Sequence, residues 1–217
     1  SRAFITSCFR ALMKFYEFMI TNPVLANLVL SVETEELHIP AGLQDRVVQA
    51  YEGLVFMDFA QQHFEEMGHG AYEELEPSSL PPLYIAYSPQ LSENTEIFHN
   101  DIQGRFARGE PDIIDAMEEW AGLAQQCRDL LSQDKGQEIG PLLNRNFDLR
   151  KSVYHLSQGN LAMIEAARAA GASAKFTGSG GAIVGVYDGE EMFERILSKL
   201  TPLGVKVLKP IITSQEF

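Results

Sequence analysis

The stretch AKFTGSGGAIVGVYD, residues 174–188, decides how this chain folds. Its two apolar runs, AKF and AIVGVY, have strand composition, and five residues rich in glycine (Thr177, Gly178, Ser179, Gly180 and Gly181) lie between them. That pattern predicts strand, loop, strand, with successive backbone amides free of side chains in the loop. A further helix over about 159–170 leads into it. A helix over 190–200 and a last strand in VKVLKPII (205–212) follow it, and the run LYIAYS (83–88) supplies another strand upstream. Between that strand and the glycine loop, helical patterns run over about 94–108, 111–133 and 136–157. In the second of these, Ile113, Ile114, Met117, Trp120, Ala121 and Leu123 form an apolar stripe. Strands separated by helices in this order predict an α+β sandwich, a small antiparallel sheet covered by helices on one side.

The first third of the chain reads differently. Phe4, Cys8, Leu12 and Phe15 recur at helical spacing from the very first residues, and a second helix is expected from Pro23 to about Leu37, with Leu25, Leu28, Val29 and Val32 on its apolar side. Then comes PAGLQDRVVQAYEGLVFMDF, residues 40–59. Pro40 and Gly42 punctuate a turn, Asp45 and Arg46 open a short helix, Gly53 ends it, and Leu54 to Phe59 reads as a strand. Asp45 has two readings here: a first-turn acid that favours the helix N-terminus, or a functional carboxylate at the mouth of a cleft. Residues 60–80 are polar and acidic, end in PSSLPP, and are expected to be a surface excursion.

Composition excludes more than it nominates. With 217 residues and 45% hydrophobic content the chain is long enough to bury a substantial core. A net charge of −13, with no local cluster of Lys and Arg, disfavours nucleic-acid and anionic-lipid partners. No apolar run approaches the roughly 18 residues that would cross a bilayer, and the chain is expected in the cytosol. Cys8 and Cys127 are far apart and are expected as reduced, buried thiols. His63 and His69 would point about 120° apart on one helix, which is wrong for a metal pair.

An anionic ligand must therefore be met locally. The loop 177–181 could cradle a phosphate on its amides, although it lacks the spacing of a Walker or dinucleotide loop, and a glycine hairpin without a ligand fits as well. Glu33, Glu35 and Glu36 precede the Asp45 turn. One of them could face the same cleft and serve Mg²⁺, which takes one or two protein carboxylates and leaves the rest to water and phosphate. A solvated acidic face is the alternative. NRNFDLRKS (144–152) concentrates Arg145, Arg150 and Lys151, and these could grip an anionic substrate or make helix-surface ion pairs.

GLQDRVVQAYEGLVFMDF (42–59) and KFTGSGGA (175–182) resemble the catalytic-aspartate segment and third motif of the galactokinase, homoserine kinase, mevalonate kinase and phosphomevalonate kinase (GHMP) superfamily. AGLQDRV, NRNFDLR and KFTGSGG are most similar to its glucuronokinase branch, in order and over nearly the whole chain. The resemblance implies the C-terminal type of sandwich, a ferredoxin-like antiparallel sheet with helices over 81–217, preceded by the helical remainder of the N-terminal domain over 1–80. It implies ATP and Mg²⁺ and transfer of a phosphoryl group to the anomeric hydroxyl of D-glucuronate. The rivals are a kinase of arabinose, galactose, fucose or a heptose phosphate, and a silent binding protein. By the same resemblance Asp45 is the catalytic base and Glu33 the metal carboxylate, with Glu36 as fallback. Ser1 touches metal or phosphate, and Thr177, Gly178, Ser179, Gly180 and Gly181 line the phosphate site. Arg46, beside the catalytic Asp, could help neutralise the transferring phosphoryl group or hold a uronate, and Gly42 is expected with it, and with the Arg145 and Arg150 of the basic segment, at the substrate. Ser1-Arg2-Ala3 is similar to the end of the second motif, so a preceding segment is expected to complete the site. Ser179 and Ala182 stand where the wider superfamily more often has Ala and Gly.

Overall fold

The computed structural model describes residues 2–39, 41–91 and 102–212, and the chain divides into two compact units between residues 77 and 78. Ser1 and the first part of the expected 94–108 helix lie outside the described residues.

The first unit is built around α1 (Arg2–Tyr16), α2 (Asn22–Ser31) and α3 (Gln44–Tyr51), followed by β1 (Leu54–Asp58), α4 (Gln61–Met67) and β2 (Ala71–Leu75). Pro23 sits in the first turn of α2, where its missing N–H costs nothing. The helix expected to run straight through to Leu37 instead widens into a π-helical turn, Val32–Glu36, closed by the Leu37 N–H on the Val32 carbonyl at 3.0 Å. Leu25, Ala26 and Val29 of α2 pack with Val47 and Ala50 of α3, and with Ile5, Phe9, Leu43 and Tyr72 around them. Residues 60–80 are not the plain surface excursion that their polarity predicts. They contain α4 and β2, and β2 pairs antiparallel with β1 from Leu54 opposite Leu75 to Asp58 opposite Ala71. AYEEL is a poor strand by itself and forms because β1 offers a free edge, with Tyr72 packed against the core.

The second unit contains β3 (Leu83–Tyr87), the helical residues 102–107 (α5), α6 (Pro111–Ser132), α7 (Gly140–Val153), α8 (Gln158–Ala169), β4 (Lys175–Phe176), β5 (Ala182–Val186), α9 (Gly189–Leu200) and β6 (Lys206–Leu208). Its four strands lie in the order β4-β5-β3-β6, each antiparallel to its neighbours. With helices grouped between β3 and β4 and between β5 and β6, this is the β-α-β-β-α-β plan of a ferredoxin-like sheet. Tyr84, Ala86, Phe176 and Ile183 from the sheet meet Phe147 of α7, Met163, Ile164 and Ala167 of α8, and Phe193, Ile196 and Leu200 of α9.

Local differences from the sequence reading have simple causes. The single helix expected over 136–157 is a 3₁₀ turn, Gly136–Ile139, and then α7, which takes Pro141 in its first turn. It stops at Tyr154, whose backbone is extended (φ −114°, ψ 146°). Ser157 then opens α8 by accepting the Asn160 N–H on its side chain. The last strand spans only 206–208, since Pro210 has no N–H to continue the ladder. Cys8 is exposed on α1 rather than buried, and Cys127 is half-buried.

Candidate active site

Asp45 is the second residue of α3. The N-cap position is Leu43, whose carbonyl accepts the N–H groups of Arg46 (2.9 Å) and Val47 (3.0 Å). The Asp45 carboxylate is half-exposed and lies 3.7 Å from Nη1 of Arg46. An acid on a first helical turn is favoured by the helix N-terminus, and this one faces solvent over half of its side chain.

Its neighbour is used in another way. Arg46 is 1% exposed, and its guanidinium lies between two fixed acceptors. Nε donates to Glu33 Oε2 at 2.5 Å, Nη2 donates to the same oxygen, and Nη1 donates to the Gly42 carbonyl at 2.7 Å. Glu33 is 0% exposed, and its other oxygen, Oε1, is buried without a hydrogen-bond partner among the described residues. These contacts differ from what the sequence suggests for Arg46 and Gly42. Arg46 does not present its fork to a sugar acid, because a buried carboxylate and a backbone carbonyl occupy it. Gly42 contributes its carbonyl to that clamp, and a Cβ at this position would meet nothing within 4 Å among the described residues.

The same geometry bears on magnesium at Glu33. The orphan Oε1 is the one feature that suits a cation. Against it, the carboxylate is sealed in the α2–α3 core and its charge is matched by Arg46. Glu33 does not fit as a metal ligand. The fallback, Glu36, is exposed at the end of the π turn.

In the second unit the glycine loop is pinned at several points. The Thr177 N–H donates to the Ala182 carbonyl (3.1 Å), the Gly181 N–H to Asn160 Oδ1 (2.8 Å), and the Ser88 N–H to the Gly181 carbonyl (2.8 Å). Between these, Arg150 donates from Nη1 to the Gly178 carbonyl (2.8 Å) and from Nη2 to the Ser179 carbonyl (3.0 Å). Its guanidinium lies over the ring of Tyr154, at 4.9 Å, and over that of Phe176, at 5.1 Å. Arg150 thus holds the loop rather than reaching for substrate as the sequence suggests. In a trans peptide the N–H points opposite to the C=O, so holding these two carbonyls turns the following amides away from Arg150. Gly181 has φ +74°, and an added Cβ would lie 2.0 Å from the Leu91 carbonyl oxygen. Only glycine fits there.

Nearby, burial first and Arg150 second push the Lys175 ammonium below its ordinary pKa, and Lys175 donates to the Phe176 carbonyl at 2.9 Å. Burial raises the Cys127 thiol, with Lys175 opposing it. Arg145, expected at the substrate, faces α6 instead, where it binds Glu119 through Nε and Nη2. That contact, with the Arg145 charge beside it, lowers the Glu119 carboxyl.

Sequence reasoning missed one site residue, Asn160, and the pairing of two that it singled out, Glu33 and Arg46. Asn160, 0% exposed, supports Gly181, and its signal was the S-x-x-N spacing from Ser157. The Glu33–Arg46 pair was signalled by position: Glu33 continues the stripe Leu25, Val29 at i+4, and Arg46 lies beside Val47 on the face of α3 that faces α2.

Residues 127–205, which span Arg145, Arg150 and the loop, match the family model described as GHMP kinases C terminal. The chain is 40% identical over 189 residues to Glucuronokinase 1 of Arabidopsis thaliana, covering 85% of this chain and 52% of that protein. Probable glucuronokinase 2 of the same plant is 41% identical over 190 residues, with coverages of 85% and 51%. Among solved structures, mevalonate kinase of L. major in complex with R-mevalonate superposes with a TM-score of 0.70 at 18% identity, over 98% of this chain and 66% of that one. The chain carries a GHMP kinase C-terminal domain. Its second unit is a GHMP C-terminal domain, and the glycine loop with its Arg150 brace is part of that domain. The chain spans about half the length of the curated glucuronokinases it matches.

Proposed function

We propose that the protein to which this chain belongs is a sugar kinase that transfers the γ-phosphoryl group of ATP to the anomeric hydroxyl of D-glucuronate, giving D-glucuronate 1-phosphate and ADP. The observation that carries this reading is 40–41% identity, over 85% of the chain, to two proteins named as glucuronokinases. Asp45 acts as the base. As the anomeric oxygen forms its bond to phosphorus and the bond from phosphorus to the bridging oxygen of ADP breaks, the hydroxyl proton passes to the Asp45 carboxylate. ATP enters as its magnesium complex, with no ligand drawn from Glu33. The loop Thr177–Gly181 contributes amides that Arg150 holds in place through the Gly178 and Ser179 carbonyls, in a chain whose charge of −13 gives a polyanion no general attraction.

On this reading residues 1–80 are the remainder of the N-terminal domain and 81–217 the C-terminal domain. The protein works in the cytosol; no helix among the described residues is long and apolar enough to cross a membrane. The test is ADP release by the full-length protein with glucuronate, compared with galactose, arabinose, fucose and a heptose phosphate. Preference for glucuronate, and a loss of about 10²–10⁴-fold in kcat for Asp45→Asn, are expected. Equal turnover of a neutral sugar would move the substrate, and unchanged kcat in the variant would remove Asp45 from the chemistry.

A further inference from the structure

The Glu33–Arg46 pair is an unusual thing to bury. Two ionised groups have left water completely, and one carboxylate oxygen has gained no partner in exchange. A pair of well-packed apolar side chains at these positions would often be as stable or more so. What the pair does that apolar packing cannot is join three backbone segments by directed bonds. Through Glu33 it holds the π turn, whose Glu33 carbonyl also accepts the Ile39 N–H at 2.8 Å. Through Nη1 it holds the Gly42 carbonyl, in the irregular stretch that leads into α3. Arg46 itself is the residue after Asp45, and its Nη1 is 3.7 Å from the Asp45 carboxylate. A planar fork that spans Glu33 and Gly42 leaves the start of α3 with one orientation. Lysine, a point charge on a flexible stem, would not do so.

We propose that Glu33 and Arg46 are positioning residues: a buried ion pair that is not a metal site and that fixes the turn at 41–46 so that Asp45 is presented in one orientation to the substrate hydroxyl. This rests on the reading of Asp45 as the base, and a base misplaced by about an ångström loses on the order of 10²-fold in rate. The expected signature is a loss of kcat with substrate affinity kept.

The experiment uses the full-length protein and four variants: Glu33→Gln/Arg46→Met together, Arg46→Met alone, Arg46→Lys, and Asp45→Asn as the reference for loss of the base. Arg46→Met alone strands a buried carboxylate and lowers the melting temperature. The double variant removes both charges and recovers it. In the double variant kcat stays down by about tenfold or more, while KM for glucuronate, KM for ATP and the half-saturating Mg²⁺ concentration remain within about threefold of wild type. Amide hydrogen exchange at residues 41–46 quickens by about tenfold or more while α6 to α9 stay protected. Arg46→Lys, which keeps the charge match and guards against a double variant that fails to fold, shows the same kcat loss and faster exchange.

Recovery of both kcat and slow exchange in the double variant, or wild-type values in Arg46→Lys, would overturn the proposal. So would a half-saturating Mg²⁺ concentration raised about tenfold or more with full kcat at saturating metal, which is how a lost ligand behaves. If the wild-type protein transferred no phosphoryl group to any sugar, the kinase reading would fail, and exchange at 41–46 would still decide whether the pair fixes the turn.

Discussion

Two glycines three residues apart in the same loop should respond in opposite ways to the same substitution. At Gly181 an alanine meets two independent penalties. Its backbone must stay at φ +74°, a conformation that costs an L-residue about 1–2 kcal/mol. Its Cβ would also stand 2.0 Å from the carbonyl oxygen and 3.2 Å from the carbonyl carbon of Leu91, so backbone rather than a flexible side chain has to yield. Relief by moving the loop is blocked, because the Gly181 N–H is held by buried Asn160 and its carbonyl by the Ser88 N–H. Overpacking of this kind costs about 1–3 kcal/mol, giving roughly 2–5 kcal/mol in total. For a chain of this size each kcal/mol moves the melting temperature by about 2–4 °C, so Gly181→Ala should melt roughly 4–20 °C lower. Gly178 has no positive φ, and an added Cβ finds nothing within 4 Å. Gly178→Ala should fall within about 0.5 kcal/mol of wild type. Thermal unfolding followed by circular dichroism on both variants reads the difference. Equal melting temperatures, or the larger loss at Gly178, would refute the account of how the loop is pinned.

Lys175→Met tests the cost of the buried ammonium through its pH dependence. The folded-state pKa is depressed, so the unfolded chain binds more protons between that value and the ordinary lysine value of about 10.4, and wild-type stability rises with pH across that window. The melting temperature of the variant relative to wild type should therefore be most favourable near pH 7 and decline as pH rises toward 10.4; a constant difference would remove the burial penalty as its cause. Arg145→Ala removes a solvent-exposed pair with Glu119, which is worth about 0–1 kcal/mol, and should leave KM for glucuronate unchanged in steady-state assays of the full-length protein. A KM raised tenfold would return Arg145 to the substrate.

The parts of the fold that were legible in sequence are those whose signal is local. AKFTGSGGAIVGVYD announces two strands and a loop because β-branched residues and clustered glycines each have a strong intrinsic bias, and the structure places β4 and β5 there. AYEEL gave no such signal, since two of its five residues are glutamates and its pairing depends on β1, seventeen residues upstream by the Leu54–Ala71 start positions. The same distinction holds for the site. Asp45 could be marked as a candidate from its turn, and the glycine loop from its composition. That Arg46 and Arg150 serve backbone carbonyls could not be read from their positions in basic or acidic segments. For Arg46 the information was in the core stripe of a different helix, where Leu25 and Val29 lead to Glu33. For Arg150 it was in a ring on β4, Phe176, twenty-six residues away in sequence.

The arginines of the two candidate segments share a use that follows from the chemistry of the side chain. A backbone segment outside helix or sheet has carbonyls that no ladder satisfies, and in the turn before α3 and the loop after β4 those carbonyls belong to Gly42, Gly178 and Ser179. Guanidinium can reach two such acceptors from one rigid plane, and it keeps its charge at any physiological pH. With 17 basic against 30 acidic side chains, using arginine in this way leaves few cations for ligands. The consequence is specific to the glycine loop. An anion there meets amides whose direction is set by an arginine on the opposite side of the peptide planes, so Arg150 would influence anion affinity without touching the anion. Replacing it by lysine keeps the charge but loses the two-point hold, and affinity should fall because the amides are no longer fixed, not because the field has changed.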